Sequence, residues 1–255
     1  MLVAGIDVGS TETKICVIKN GEWYHAAAPT GWKPRESGEK IYRELISRID
    51  SAERADFVVA TGYGRIALPF ADRLVTEITC HARGGVVLVP KARMIIDIGG
   101  QDTKVIQVGP EGQVLDFLMN DRCAAGTGRF LQVIATSIGL DVEELDEIAA
   151  EKEPIALNSM CTVFAETEVI GLLASGADRG ELVAGLQQAI AQRIGGMAKR
   201  LGISGTIAFT GGVAHSRGVQ RRLQDLLNTD VVVSKDCQLA GAIGAALIAQ
   251  DAIES

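Results

Sequence analysis

Two stretches of this chain say nearly the same thing ninety residues apart. Residues 6–18 read IDVGSTETKICVI and residues 96–108 read IDIGGQDTKVIQV, with five of thirteen positions identical. The Val/Ile, Glu/Asp and Ile/Val substitutions keep size or charge. Each copy is an apolar run ending in Asp-x-Gly, a short turn, and a second run of alternating polarity, the pattern of a β-hairpin. Each copy thus has an acidic residue and a glycine loop at its bend.

The bend suggests chemistry. Glycine lets backbone N–H groups approach an anion closely, and Ser10, Thr11 and Thr103 add hydroxyl donors. The carboxylate of Asp7 or Asp97 would repel a phosphate unless a hard cation such as Mg²⁺ lay between them. Two such loops facing one another would grip a nucleotide's phosphates from both sides. Further along, a strand over 206–209 runs into Thr210-Gly211-Gly212-Val213-Ala214, a strand–glycine–helix turn suited to meeting a nucleotide.

The rest of the chain alternates in the same style. Helical stretches are expected at 36–49, 76–88, 126–138 and 142–149, with a strand at 56–60 and a turn at 61–65. The longest helix begins near Arg179, because Leu182, Leu186, Ile190, Ile194, Met197 and Leu201 recur at steps of three and four. A last strand at 231–233 leads to a closing helix from Leu239. The segment 29–37 has no distinctive pattern and reads as a peripheral loop. Twenty-nine glycines are spread along the chain and aromatic content is 4%, so the core is built from Val, Ile, Leu and Ala. This is an α/β composition.

Charge and hydropathy bound the partners. The balance of 25 basic against 32 acidic residues gives −7, with no Lys/Arg run, which argues against nucleic acid. The longest apolar stretch, 239–249, is short for a bilayer span, and no basic segment precedes the first strand. A cytoplasmic protein without a membrane partner is expected. Five cysteines, an odd number, argue against a disulfide framework.

Together the two DxG hairpins and the TGGVA turn resemble the phosphate-1, phosphate-2 and adenosine motifs of the actin/sugar-kinase/Hsp70 superfamily. The resemblance implies a two-lobed α/β ATPase fold with a nucleotide in the cleft. Residues 1–92 would form the N-terminal lobe and 93–255 the C-terminal lobe, the closing helix of about 238–250 packing back on the first. It implies that Asp7 (with Mg²⁺), Gly9, Ser10 and Thr11 meet phosphate and metal. Gly99, Gly100, Gln101 and Asp102 would face phosphate from the other lobe, near Asp97, and Gly211, Gly212 and Val213 would bear on adenosine. Gln101 and Asp102 are the candidates for orienting the hydrolytic water. Lys14 and Lys104 read either as phosphate neutralisers or as solvated edge lysines. Glu166 reads as a cleft residue or a helix-terminal charge. His25, His81 and His215 read as surface or satisfied core residues.

Six motifs in order narrow the resemblance: ATGYGR, EITCHA, IDIGGQD, DRCAAGTGRFLQ, SMCTVFAETEVI and FTGGVA. They are similar to the activator components of 2-hydroxyacyl-CoA dehydratases and the ATPase subunits related to benzoyl-CoA reductase. That resemblance implies a homodimer whose subunits each give Cys123 and Cys161 to one shared [4Fe–4S] cluster. It also implies ATP/ADP as nucleotide and ferredoxin or flavodoxin as electron donor. The partner would be an iron–sulfur dehydratase, an aryl-CoA reductase or a double-cubane-cluster protein. Both cysteines are expected just before amphipathic helices, where the helix dipole favours a thiolate or an anionic cluster. Cys16, Cys80 and Cys237 read as structural. The alternative is a small-molecule kinase, or a nucleotide-gated regulatory module, on the same fold.

Overall fold

In a computed structural model, which describes residues 1–50, 54–157 and 161–254, each copy of the repeat forms two strands of a five-stranded sheet. β1 (Leu2–Val8), β2 (Glu12–Lys19) and β3 (Glu22–Pro29) make an antiparallel meander. β1 then pairs in parallel with β4 (Phe57–Thr61), and β4 with the short β5 (Arg73–Leu74). The second sheet repeats this plan strand for strand. β6 (Ala92–Ile98), β7 (Thr103–Val108) and β8 (Val114–Asn120) form the meander, and β9 (Thr206–Thr210) and β10 (Val231–Val232) follow in parallel. The orders β3-β2-β1-β4-β5 and β10-β9-β6-β7-β8 are therefore equivalent. Each hairpin has a third strand that the repeat itself does not include. The β2–β3 turn uses Asn20 and Gly21, with φ of 50° and 87°, a left-handed pair that matches the twist of the strands it joins.

Every residue of β1 is buried, because helices cover both faces of its sheet. α1 (Pro34–Ile49) places Ile41, Tyr42, Leu45 and Ile46 against Leu2, Ala4, Ile6 and Val8. On the other face α8 (Ala240–Glu254) packs Ala242, Ile243, Ala246 and Ala249 against Val3, Cys16 and Val59. α2 (Glu77–Leu88) does the converse. It precedes the second sheet in sequence yet buries Ala82 and Val86 against that sheet's Ile95, Ile106 and Ala208.

These two exchanged helices cross almost backbone on backbone. A Cβ on Gly84 would collide with Ala240 O, and one on Gly244 with Cys80 O. Only glycine permits so close a passage.

The outer face of the second sheet carries the larger core. There α6 (Arg179–Leu201) lays Leu182, Leu186, Ile190 and Ile194 on Ile96, Ile98 and Phe209. Its N-terminus is capped by Asp178, whose carboxylate accepts from Gly180 N at 2.9 Å and Glu181 N at 3.1 Å. Around it pack α3 (Gly128–Ser137), α5 (Thr162–Ala174) and α7 (Arg217–Leu227). The helix expected over 142–149 is broken into a 3₁₀ turn (Val142–Glu144) and the four-residue α4 (Leu145–Ile148). The stretch 29–37 is not wholly a loop, since Pro34 opens α1 at a first-turn position where its missing N–H costs nothing.

Candidate nucleotide cleft and cysteine site

The two repeats end their first strands at equivalent carboxylates. In register, Asp7 faces Lys14 on β2 and Thr61 on β4, while Asp97 faces Lys104 on β7 and Thr210 on β9. Each following turn closes through the same bond: Gly9 N donates to Glu12 O at 3.1 Å, and Gly99 N to Asp102 O at 2.9 Å. Both parallel strands then leave through a left-handed glycine, Gly62 at φ 87° and Gly211 at φ 86°. A Cβ would sit 2.5 Å from Asp7 Oδ1 at Gly62 and 3.0 Å from Asp97 Oδ1 at Gly211, so each glycine lets backbone pass beside a carboxylate. The duplication thus includes the Thr-Gly ends of β4 and β9.

The two loops meet. A Cβ on Gly100 would collide with Thr11 Oγ1 and lie 3.7 Å from Ser10 Oγ. Gly211, Gly212 and Val213 open a 3₁₀ turn beside the second loop, anchored by Gly211 N donating to Cys237 O at 3.1 Å. Gln101 is exposed at the loop's tip. Thr103 does not point a hydroxyl at the cleft. It is fully buried and donates to Gly126 O at 2.8 Å.

Between the carboxylates sits His81 of α2, a buried residue that sequence reasoning assigned no role. Its Nδ1 lies 3.2 Å from Asp97 Oδ1 and its Nε2 3.8 Å from Asp7 Oδ2. Burial pulls the imidazole pKa down, but the charge of Asp97, with Asp7 behind it, outweighs this and raises it above the usual value. Lys104 is 2% exposed and is not an edge lysine. Its Nζ contacts Asp102 Oδ2 at 2.6 Å, Glu77 Oε2 at 2.9 Å and Asp97 Oδ2 at 3.5 Å. Against the pull of burial these three carboxylates raise its pKa, so it stays charged.

The equivalent carboxylates differ. Burial alone would push Asp97 up, but His81, Lys104 and a 2.9 Å hydrogen bond from Thr210 Oγ1 hold it well below the usual range. Asp7 is pushed up by burial, and His81, Lys14 and Lys104 offset this only in part. The counterpart of Thr210, Thr61, is fully buried but makes no such bond to Asp7 among the described residues; its hydroxyl lies beside the Cys80 thiol instead. Lys14 is more open than Lys104, 3.5 Å from Glu12 with 15% of its side chain exposed.

The cysteines divide cleanly. Cys16, Cys80 and Cys237 are buried, Cys123 is half-buried and Cys161 is exposed; all five are free thiols. Burial pushes Cys16 and Cys80 up to about 12. Cys161 is the N-cap residue of α5. Its neighbours Ser159 and Met160 in the SMCTVF motif lie outside the described residues. Cys123 is not at a helix end, since α3 starts five residues later at Gly128. Nor is α5 amphipathic in the expected sense, because its exposed side carries Val163, Phe164 and Ile170. Glu166 lies on α5, half-buried, in the helix that Cys161 opens. Among the described residues no three His, Cys, Asp or Glu side chains of one chain gather as a metal site, and no helix is long and apolar enough to cross a membrane.

The family model described as the BadF/BadG/BcrA/BcrD ATPase family matches residues 4–249. The 2-hydroxyisocaproyl-CoA dehydratase activator of Clostridioides difficile is 42% identical over 98% of this chain and 96% of its own. A solved structure of that activator with bound ADPNP superposes with a TM-score of 0.90 at 40% identity, covering 100% of this chain and 96% of that one. The structure of (R)-2-hydroxyglutaryl-CoA dehydratase component A from Acidaminococcus fermentans gives 0.94 at 39% identity and covers both chains fully. A glucokinase from Streptomyces griseus, 14% identical, superposes at 0.56 over 98% of this chain and 100% of its own. This last likeness shows the fold alone.

Proposed function

Because the chain belongs to the BadF/BadG/BcrA/BcrD ATPase family, we propose that it is an ATP-hydrolysing electron donor that works as a homodimer and activates a partner iron–sulfur enzyme. The observation that carries the nucleotide reading is the meeting of the two DxG loops, Gly100 against Thr11 and Ser10, beside the incompletely neutralised Asp7. Gly9 N and Gly99 N close their own turns, so the backbone N–H groups of 10–11 and 100–101 would hold the phosphates from both lobes. A buried carboxylate with raised pKa gains by facing a divalent cation, which supports Mg²⁺ at Asp7 over Asp97. Lys14 remains to neutralise phosphate, while Lys104 is held among Asp102, Glu77 and Asp97. Gln101, exposed at the loop tip, would orient the attacking water, with Asp102 fixing the turn through its pair to Lys104. Gly211, Gly212 and Val213 would border the adenosine.

Cys123 and Cys161 fit half of a four-thiolate [4Fe–4S] shell. They are the two accessible thiols, and one sits at the positive end of α5. A second copy supplies the other half. Bound there, the cluster would supply a low-potential one-electron carrier, reloaded by a ferredoxin or flavodoxin. Hydrolysis is energetically adequate, since about 59 mV in a one-electron step corresponds to only about 1.4 kcal/mol. The dehydratase activators at 42% identity favour a 2-hydroxyacyl-CoA dehydratase as acceptor. Reduced protein mixed with such an acceptor should lose its electron only while hydrolysing ATP. Equal transfer with ADP would contradict the assignment.

A further inference from the structure

The segment that carries Cys123 is spliced to the second phosphate loop by three hydrogen bonds. Thr103 Oγ1 donates to Gly126 O at 2.8 Å, Gly128 N to Gly99 O at 2.9 Å, and Arg129 N to Gly100 O at 2.9 Å. The segment is also braced within itself. Asn120 Nδ2 donates to Cys123 O at 2.8 Å and to Ala125 O at 3.2 Å, and Thr127 Oγ1 to Ala124 O at 2.7 Å. Gly126 makes the turn in the left-handed region at φ 81°, and Ala125, Thr127 and Phe130 are fully buried. A body braced in this way shifts as a unit when its anchor shifts.

The anchor is the loop proposed to face the γ-phosphate, so the inference rests on that reading of the cleft. The first lobe shows what the same joint looks like without a cysteine. There Thr13 Oγ1 lies 2.9 Å from Thr30 Oγ1, which donates to Gly9 O at 2.8 Å, while Thr30 N donates to Thr11 O at 3.0 Å. This joint ends in the short connection to α1. Cys161 has no such splice among the described bonds, its carbonyl accepting from Ala165 N within α5.

We propose that Thr103 is the positioning residue through which nucleotide bound at Gly99–Gln101 sets the exposure of Cys123. The fully buried hydroxyl transmits the loop's position to Gly126 and so to the half-exposed thiol three residues before it.

The test uses the full-length chain carrying Cys161→Ser, which leaves Cys123 as the one thiol that is not buried. Its alkylation by a maleimide is timed with no nucleotide, with Mg·ADP and with a non-hydrolysable Mg·ATP analogue. The rate should differ between the two nucleotide states by at least about fivefold, the lower end of ordinary site-to-site coupling. Thr103→Val should bring the two rates together while nucleotide is still bound, Thr103→Ser should restore the difference, and Thr13→Val should keep it. Hydrogen exchange at the Gly128 and Arg129 amides gives a second readout in the unmutated chain, and should change between the same two states.

Equal rates in the Cys161→Ser parent, or a Thr103→Val chain that responds as the parent does, would overturn the proposal. So would a Thr103→Val chain that no longer binds nucleotide, since that would place Thr103 in binding rather than in transmission. If Thr103→Val does not fold, unchanged exchange at Gly128 and Arg129 on nucleotide binding would overturn it alone. A parent chain that binds no nucleotide at all would instead defeat the ATPase reading itself.

Discussion

Asp7 and Asp97 hold equivalent places in the two repeats, yet the side chains around them give them opposite energetics. Asp97 is buried in contact with His81, Lys104 and Thr210. Asp97→Asn leaves Lys104 and His81 under-compensated and should cost about 3–5 kcal/mol of stability at neutral pH. The stability Asp97 contributes is present above the ordinary carboxylate range near pH 4 and is lost as pH falls below it towards the lowered folded-state value. The acid limb of the wild-type stability curve should therefore be flatter in Asp97→Asn. Asp7, with its pKa raised by burial, has the opposite sign and costs stability as pH rises from that range through its raised folded-state value. Asp7→Asn should leave the denaturation midpoint at neutral pH unchanged or higher, while lowering affinity for Mg·ATP by at least about tenfold, the loss of one cation ligand. A Mg·ATP affinity unmoved by Asp7→Asn would remove the metal from this residue.

Both carboxylates and their glycines are legible in the sequence, because one DxG turn keeps everything that matters within four residues. His81 and Lys104 are not. His81 becomes significant only when α2 lies between two strand ends that are 16 and 74 residues away in sequence. Lys104 reads equally as a phosphate neutraliser or an edge lysine until α2 brings Glu77 over it and closes it among three carboxylates.

Among the helices, the crossing of α2 and α8 decides whether the two sheets form one molecule. A methyl group at Gly244 meets the carbonyl of Cys80, rigid backbone that cannot turn aside. Gly244→Ala should therefore cost about 3 kcal/mol or more in denaturant unfolding, the upper part of the range for overpacking. Gly196 in α6 has nothing within 4 Å of its Cβ position, and Gly196→Ala there should stabilise by up to about 1 kcal/mol through helix propensity. Equal effects at the two sites would mean that the helices do not cross so closely. The helix itself was legible over 76–88, but the reason for its glycines was not. Glycines inside a helical pattern look like weaknesses until two helices pass through each other's gaps. Similarly, Asp146 of α4 accepts from Arg217 N at 2.6 Å and Ser216 Oγ at 2.8 Å, and so caps α7. No local pattern announces a carboxylate that caps a helix 71 residues later.

As a whole, the molecule is one architecture used twice and then made asymmetric. Each half brings a DxG loop to the place where the two loops meet and fastens a following segment to it by a buried threonine. In one half that segment leads into α1, and in the other it holds Cys123. The asymmetry extends to the thiols, since both accessible cysteines lie in the second half and two thiolates complete nothing within one chain. The proposed cluster is therefore a property of the dimer, and its iron can be counted. The protein should be purified under strict exclusion of oxygen, with iron, sulfide and solution mass measured for the wild type and for Cys123→Ala. About four irons and four sulfides per dimer are expected, as is their loss in Cys123→Ala with the cleft still binding nucleotide. An iron-free protein that resists reconstitution, or one whose iron survives Cys123→Ala, would contradict the shared cluster.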